Sequence, residues 1–202
     1  LFDALIGGGI AVAFSILIFP KNPLTVLSDA RRDVLAAQHH ALAQIRYRAD
    51  GSALSEADWT TTAAARLHRA LARLTEARGT ARQLARFCPR RWPLHSATRA
   101  ADRQAEQLAM LAGSILNLGH TVTNAATSPD QIAEPLRAAI GDLAAAGSAL
   151  ADDKQAATAA HAASAHRHTS TFQPAAATQL LLAAVIDRCA GELQQLAAGA
   201  PR

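Results

Sequence analysis

Histidines and acids are the residues in this sequence that could do chemistry, and one segment concentrates them. His161, His166 and His168 lie within eight residues of each other, shortly after Asp152 and Asp153. A zinc ion needs ligands that converge on one face, whereas His161 and His166, five residues apart, diverge on a helix. The adjacent carboxylates likewise point to different sides of a helix, which makes them a poor acid–base pair. We predict a solvated histidine-rich segment and no metal site.

The sequence also has no motif for phosphate binding or for thiol chemistry. The sequence contains no G-x-x-x-x-G-K-[ST] loop, and Gly7, Gly8 and Gly9 lie inside an apolar run rather than after a strand. Cys88 and Cys189 have no obvious histidine partner, and two cysteines are too few for a disulfide framework. We predict that the chain is not an enzyme and uses no cofactor.

Arginine is the second residue type that is concentrated in one segment. Residues 66–91 contain eight arginines and one acid, Glu76. At helical spacing, six of these arginines fall on two faces. The first face carries Arg66, Arg69 and Arg73, and the second carries Arg78, Arg82 and Arg86. Such a cluster could contact anionic lipid or an anionic substrate, or it could be the solvated flank of a packed helix.

Two alternatives to contact with anionic lipid or substrate follow from the surrounding sequence. Nucleic-acid readers usually add aromatic platforms, and only Phe87 and Trp92 lie near the arginines, so we predict no nucleic-acid partner. The arginines could also be neutralised internally by acids of later helices. Candidate acids are Asp142, Asp187 and Glu192.

Composition and periodicity predict the elements that position these residues. The chain has 202 residues, is rich in alanine, the strongest helix former, and is 4% aromatic. Apolar residues recur at three- and four-residue steps, and no run shows the period-two alternation of a strand. We predict an all-α fold in which residues 21–202 form an antiparallel bundle of about five long helices.

The predicted helices cover about residues 23–49, 55–88, 94–126 and 129–150, and a last helix begins near residue 174. Helix 94–126 has the least interrupted apolar seam, which includes Leu111 and Ile115, and should lie at the centre. Residues 151–170 contain no leucine, isoleucine, valine or aromatic residue. We interpret them as a projecting helix end or a mobile loop.

The first 20 residues predict a membrane-spanning helix. They are apolar from Ala4 to Phe19 except for Ser15. Glycines would destabilise a soluble helix, whereas small residues allow membrane helices to approach closely. Gly7, Ala11 and Ser15 form such a small-residue stripe. A buried soluble helix is the alternative. Since Lys21 and two arginines follow the segment, the positive-inside rule places residues after Pro20 in the cytoplasm.

The opening residues resemble a known family. Asp3-Ala4-Leu5-Ile6-Gly7, the apolar run, Phe19-Pro20 and then Pro23-Leu24 at the start of a long alanine/leucine helix are similar to the fusaric acid resistance or aromatic acid exporter family. The resemblance covers about residues 1–45. It implies that residues 1–20 are the last membrane helix of a bundle and that the remainder is a cytoplasmic helical domain.

The resemblance further implies the C-terminal portion of an exporter of aromatic or amphiphilic organic acids in a bacterial inner membrane. Because the helical domain is basic, it would suit attracting anionic substrates, and we interpret it as a regulatory or substrate-gathering module. Its partners would be the lipid bilayer, the other membrane helices of the same full-length protein and a second copy in a homodimer. The alternative is a membrane-anchored or soluble helical scaffold without transport activity.

Overall fold

The computed structural model describes residues 23–51, 59–87, 92–127, 132–173 and 176–199, and within these ranges the regular structure is helical, with no strand. The all-α prediction is confirmed for this part of the chain. The described helices are α1 (Pro23–Ala49), α2 (Ala65–Phe87), α3 (Trp92–Thr127), α4 (Glu134–Ala151), α5 (Gln155–Ser170) and α6 (Ala177–Gly199), and a π-helical turn, Trp59–Ala64, precedes α2.

Two helices share the centre of the bundle. Helix α1 packs against α2, α3 and α4, while α3 packs against α1, α2 and α6. Leu111 and Ile115 of α3 are 1% and 0% exposed, as the uninterrupted apolar seam predicts. Helices α4, α5 and α6 pack against one another in turn and form the other side of the molecule.

Local sequence explains where several helices begin and end. Gly51 ends α1 with a φ of +92°, a left-handed conformation that a side chain would disfavour. Pro93 and Pro135 lie in the first turns of α3 and α4, where a missing backbone N–H costs nothing. Helix α4 therefore begins at Glu134, a few residues later than the pattern from residue 129 predicts.

The interpretation of residues 151–170 as a projecting end or mobile loop is wrong. Gln155–Ser170 forms helix α5, which packs between α4 and α6. Its inward face consists of small side chains, so it gives no apolar signal in the sequence. The buried residues are Thr158, Ala162, Ala165 and Thr169.

Several predictions concern residues outside the described ranges. These include the membrane helix 1–20 with its stripe Gly7, Ala11 and Ser15, and the side chain of Arg86. Among the helices that are described, none is both long and apolar enough to cross a membrane.

Candidate functional site

The second arginine face of α2 lies against acids of α3. Arg78 Nε donates to Asp102 Oδ1 at 3.0 Å and its Nη2 donates to Glu106 Oε1 at 3.4 Å. Arg82 Nε donates to the other Asp102 oxygen at 2.7 Å. The Arg78 side chain is only 16% exposed. These two arginines are therefore neutralised where α2 meets α3.

Asp102 is the central carboxylate of this network. Desolvation alone would raise its pKa, but the hydrogen bonds and charges of Arg82 and Arg78 outweigh burial and hold the pKa below its usual range. The carboxylate is therefore charged at neutral pH. A fixed ion network of this kind orients α2 on α3.

The first arginine face is more accessible. Arg73 Nη1 donates to Asp33 of α1 at 3.2 Å, although both side chains are more than half exposed. Arg69 is exposed and its Nε donates to the Ala65 carbonyl at 3.3 Å. Arg66 is also exposed, and neither Arg66 nor Arg69 has a carboxylate within ion-pair distance among the described residues.

The surroundings of Arg66 are electropositive. The pKa of His40 is lowered, first by burial and then by the charges of Arg66 and His39. A lowered pKa means that the surroundings of this histidine disfavour its protonated, charged form. Arg66 and Arg69, three residues apart on α2, thus form a positive patch, and the lowered pKa of His40 means that this histidine adds little charge to it.

The acids predicted as alternative partners of the arginines face histidines or a serine instead. Asp142 of α4 lies 3.9 Å from His161 Nδ1 and 3.5 Å from His168 Nε2. Asp187 of α6 lies 2.9 Å from His166 Nδ1 and also accepts a hydrogen bond from Thr169. Glu192 accepts a hydrogen bond from Ser114 at 2.9 Å. The histidines of α5 thus lie on two sides of the helix, where they contact Asp142 of α4 and Asp187 of α6.

These polar pairs fall short of a metal or thiol site. No group of three or more histidine, cysteine, aspartate or glutamate residues in the described ranges is arranged to hold a metal ion. Cys189 is fully buried, and burial raises the pKa of its thiol far above the ordinary value. A thiol that cannot ionise is a poor nucleophile, so Cys189 acts as a small core residue.

Sequence reasoning identified the arginines but missed their partners. Asp102 and Glu106 are four residues apart and therefore share one face of α3, the next helix in the chain. That spacing was the available signal. Asp33 carries no comparable signal, because the crossing of α1 and α2 that brings it to Arg73 is a tertiary feature.

Similarity to known proteins covers nearly the whole chain. The sequence is 41% identical over 198 residues to proteins named "Putative arylamide transporter" in Mycobacterium bovis and in two strains of Mycobacterium tuberculosis, CDC 1551 and H37Rv. The match covers 97% of this chain and 55% of each relative, so the chain spans about half the length of the curated relatives it matches. No family model and no solved structure matches the chain. The closer assignment to the fusaric acid resistance family therefore stays a prediction, whereas the similarity to named transporters suggests a transporter family.

Proposed function

We propose that this chain is the C-terminal portion of an inner-membrane exporter of aromatic or amphiphilic organic acids, and that its helical bundle is a cytoplasmic regulatory or substrate-gathering module. The observation that carries the proposal is the 41% identity over 97% of the chain to proteins named as transporters. A membrane location, other membrane helices as partners and a homodimer belong to the same proposal.

Within this proposal, Arg66 and Arg69 are the arginines best placed to gather anions. Arg78 and Arg82 pair with Asp102 and Glu106, so their two charges are balanced and add little to the field outside the bundle. Arg66 and Arg69 are exposed and have no carboxylate within ion-pair distance among the described residues. A patch of one sign raises the local concentration of oppositely charged solutes or holds the domain near anionic lipid.

Transport is tested on the full-length protein. It is expressed in a bacterial host that lacks its own exporters of aromatic acids, and cellular accumulation of radiolabelled benzoate is measured. We expect lower accumulation than in cells with the empty vector, and the difference should vanish when the proton gradient is collapsed. Equal accumulation for a panel of aromatic and amphiphilic acids would contradict the exporter proposal.

The gathering role is tested with matched charge removals in the same protein. Arg66→Gln with Arg69→Gln removes two charges from the positive patch, while Arg167→Gln with Arg188→Gln removes two exposed charges elsewhere. We expect the first pair to raise the KM for export and to weaken its dependence on salt, with kcat unchanged. If both pairs of substitutions had the same effect, the patch would act only through the net charge of the protein and not through its position. Reduced binding of the first pair to vesicles containing anionic lipid, without a change in KM, would assign the patch to the membrane surface instead.

A further inference from the structure

A small cavity lies where α1, α2 and α3 meet, away from the exposed arginine patch. Its volume is about 140 Å³. Four of its lining residues are buried and apolar, namely Leu27 from α1, Leu74 from α2, and Ala105 and Leu108 from α3. The other three are polar and reach solvent, namely Ser28, Arg31 and Gln104. The cavity therefore has an apolar floor and a polar rim.

Arg31 supplies the one formal charge among these lining residues. Its Nε is buried and has no hydrogen-bond partner among the residues that the structure describes. Natural structures rarely leave a buried guanidinium N–H unpaired, because the water it loses must be replaced. Arg32, the next residue, shows the contrast: its side chain is 82% exposed and faces Asp29 at 4.0 Å. Arg31 thus lines the cavity and has a donor that no described residue uses.

We propose that this cavity binds a small amphiphilic anion, with its apolar body on the leucine floor and its carboxylate on the Arg31 guanidinium. A guanidinium presents two parallel N–H donors that match the two oxygens of a carboxylate. Gln104 at the rim offers a further donor group, its side-chain NH₂, to the same carboxylate, whereas the Ser28 hydroxyl already donates to the Thr25 carbonyl at 2.8 Å. Ligand binding at this place goes beyond the proposed transport function and does not depend on it.

The size of the cavity sets the size of the ligand. An apolar cavity of about 150 Å³ in another protein holds a single benzene ring. The volume of about 140 Å³ therefore suits one six-membered ring or a branched alkyl chain of similar bulk, whereas two fused rings would extend past the rim into solvent. Because the floor is built from three helices, an occupied cavity also ties α1, α2 and α3 together.

The test uses the 202-residue chain in lipid nanodiscs, with empty nanodiscs as the blank for partition into lipid. Binding of 4-fluorobenzoate is followed by ¹⁹F NMR and competed with benzoate, benzamide, acetate and 2-naphthoate. We expect saturable binding that benzoate displaces. Benzamide, which lacks the charge, acetate, which lacks the apolar body, and naphthoate, which is too large, should each compete at least about tenfold less well.

Two matched variants locate the site. Arg31→Gln should weaken 4-fluorobenzoate binding roughly tenfold or more, since it removes a charge-assisted hydrogen bond, while Arg32→Gln should leave binding unchanged. Ala105→Leu fills the floor and should abolish binding with Arg31 intact. A thermal melt of each variant shows whether the bundle is still folded. If Ala105→Leu does not fold, the comparison of Arg31→Gln with Arg32→Gln decides alone.

Three results would overturn the proposal. They are the absence of saturable binding above the nanodisc blank, equal weakening by the two arginine variants, and equal competition by acetate and benzoate. Export activity of the full-length protein is measured separately, so a failed binding test leaves the transport proposal standing, and the reverse also holds.

Discussion

Helices α3 and α5 hold their places in the bundle by different means. Helix α3 has 36 residues and buries a continuous row of large side chains, among them Leu111 and Ile115. Helix α5 has 16 residues and buries two alanines and two threonines. Both are regular helices with helical neighbours on more than one side. A large apolar stripe is therefore sufficient for a packed helix in this protein, but it is not necessary.

The source of stability differs accordingly. Each large aliphatic side chain of α3 removes much apolar surface from water, and that burial dominates its contribution to folding. An alanine buries little surface but allows backbones to approach closely, so α5 gains from many short contacts. Polar pairs at the edges of α5, such as His166 with Asp187, help to orient this helix against its neighbours. We expect substitutions in the two helices to destabilise the fold for opposite reasons. In α3 the cost should come from loss of side-chain volume, and in α5 from gain of side-chain volume.

The largest expected effect is loss of volume in α3. Ile115 is 0% exposed, and Ile115→Ala should lower the free energy of unfolding by about 2–5 kcal/mol, because it removes apolar burial and leaves a cavity. Ala162→Gly in α5, at a residue that is also 0% exposed, should cost only about 1 kcal/mol, mostly through helix propensity. Urea unfolding monitored by circular dichroism gives both values. Similar costs would mean that α5 contributes as much burial as α3, contrary to its composition.

Gain of volume should destabilise the buried face of α5 and leave its exposed face almost unaffected. Ala162→Leu forces a larger side chain into the contact of α5 with its neighbours and should cost about 1–3 kcal/mol through overpacking. Ala160→Leu places the same side chain on the exposed face of α5 and should change stability by less than about 0.5 kcal/mol. Hydrogen exchange should show faster opening of α5 amides in the first variant. Unchanged exchange at both positions would indicate spare room beside α5.

The same difference explains what the sequence could predict. The seam of α3 is a periodic signal that local residue types carry, so its burial and central place follow from spacing. Helix α5 carries no such signal, because the burial of Ala162 and Thr158 depends on which helices lie beside them. Arg78 and Arg82 were visible as a charged face, yet their neutralisation by Asp102 depends on the crossing of α2 and α3. The cavity at Arg31 was invisible for the same reason, since three helices build it.

The smallest expected effect concerns the charged border of α3 and depends on pH. Asp102→Asn leaves Arg78 without its main carboxylate partner and should cost about 1 kcal/mol at pH 7. The folded-state pKa of Asp102 is lower than its ordinary value, so its contribution is fully present above that ordinary value and is lost as pH falls through the depressed pKa. The stability difference between the unsubstituted chain and the Asn variant should therefore be constant near neutrality and close progressively below about pH 4. Glu76→Gln, which neutralises an exposed acid of α2, is the control and should show little difference throughout. Thermal melts from pH 7 to pH 2.5 measure the effect, and a difference that persists at the lowest pH would assign the cost of Asp102→Asn to packing rather than to charge.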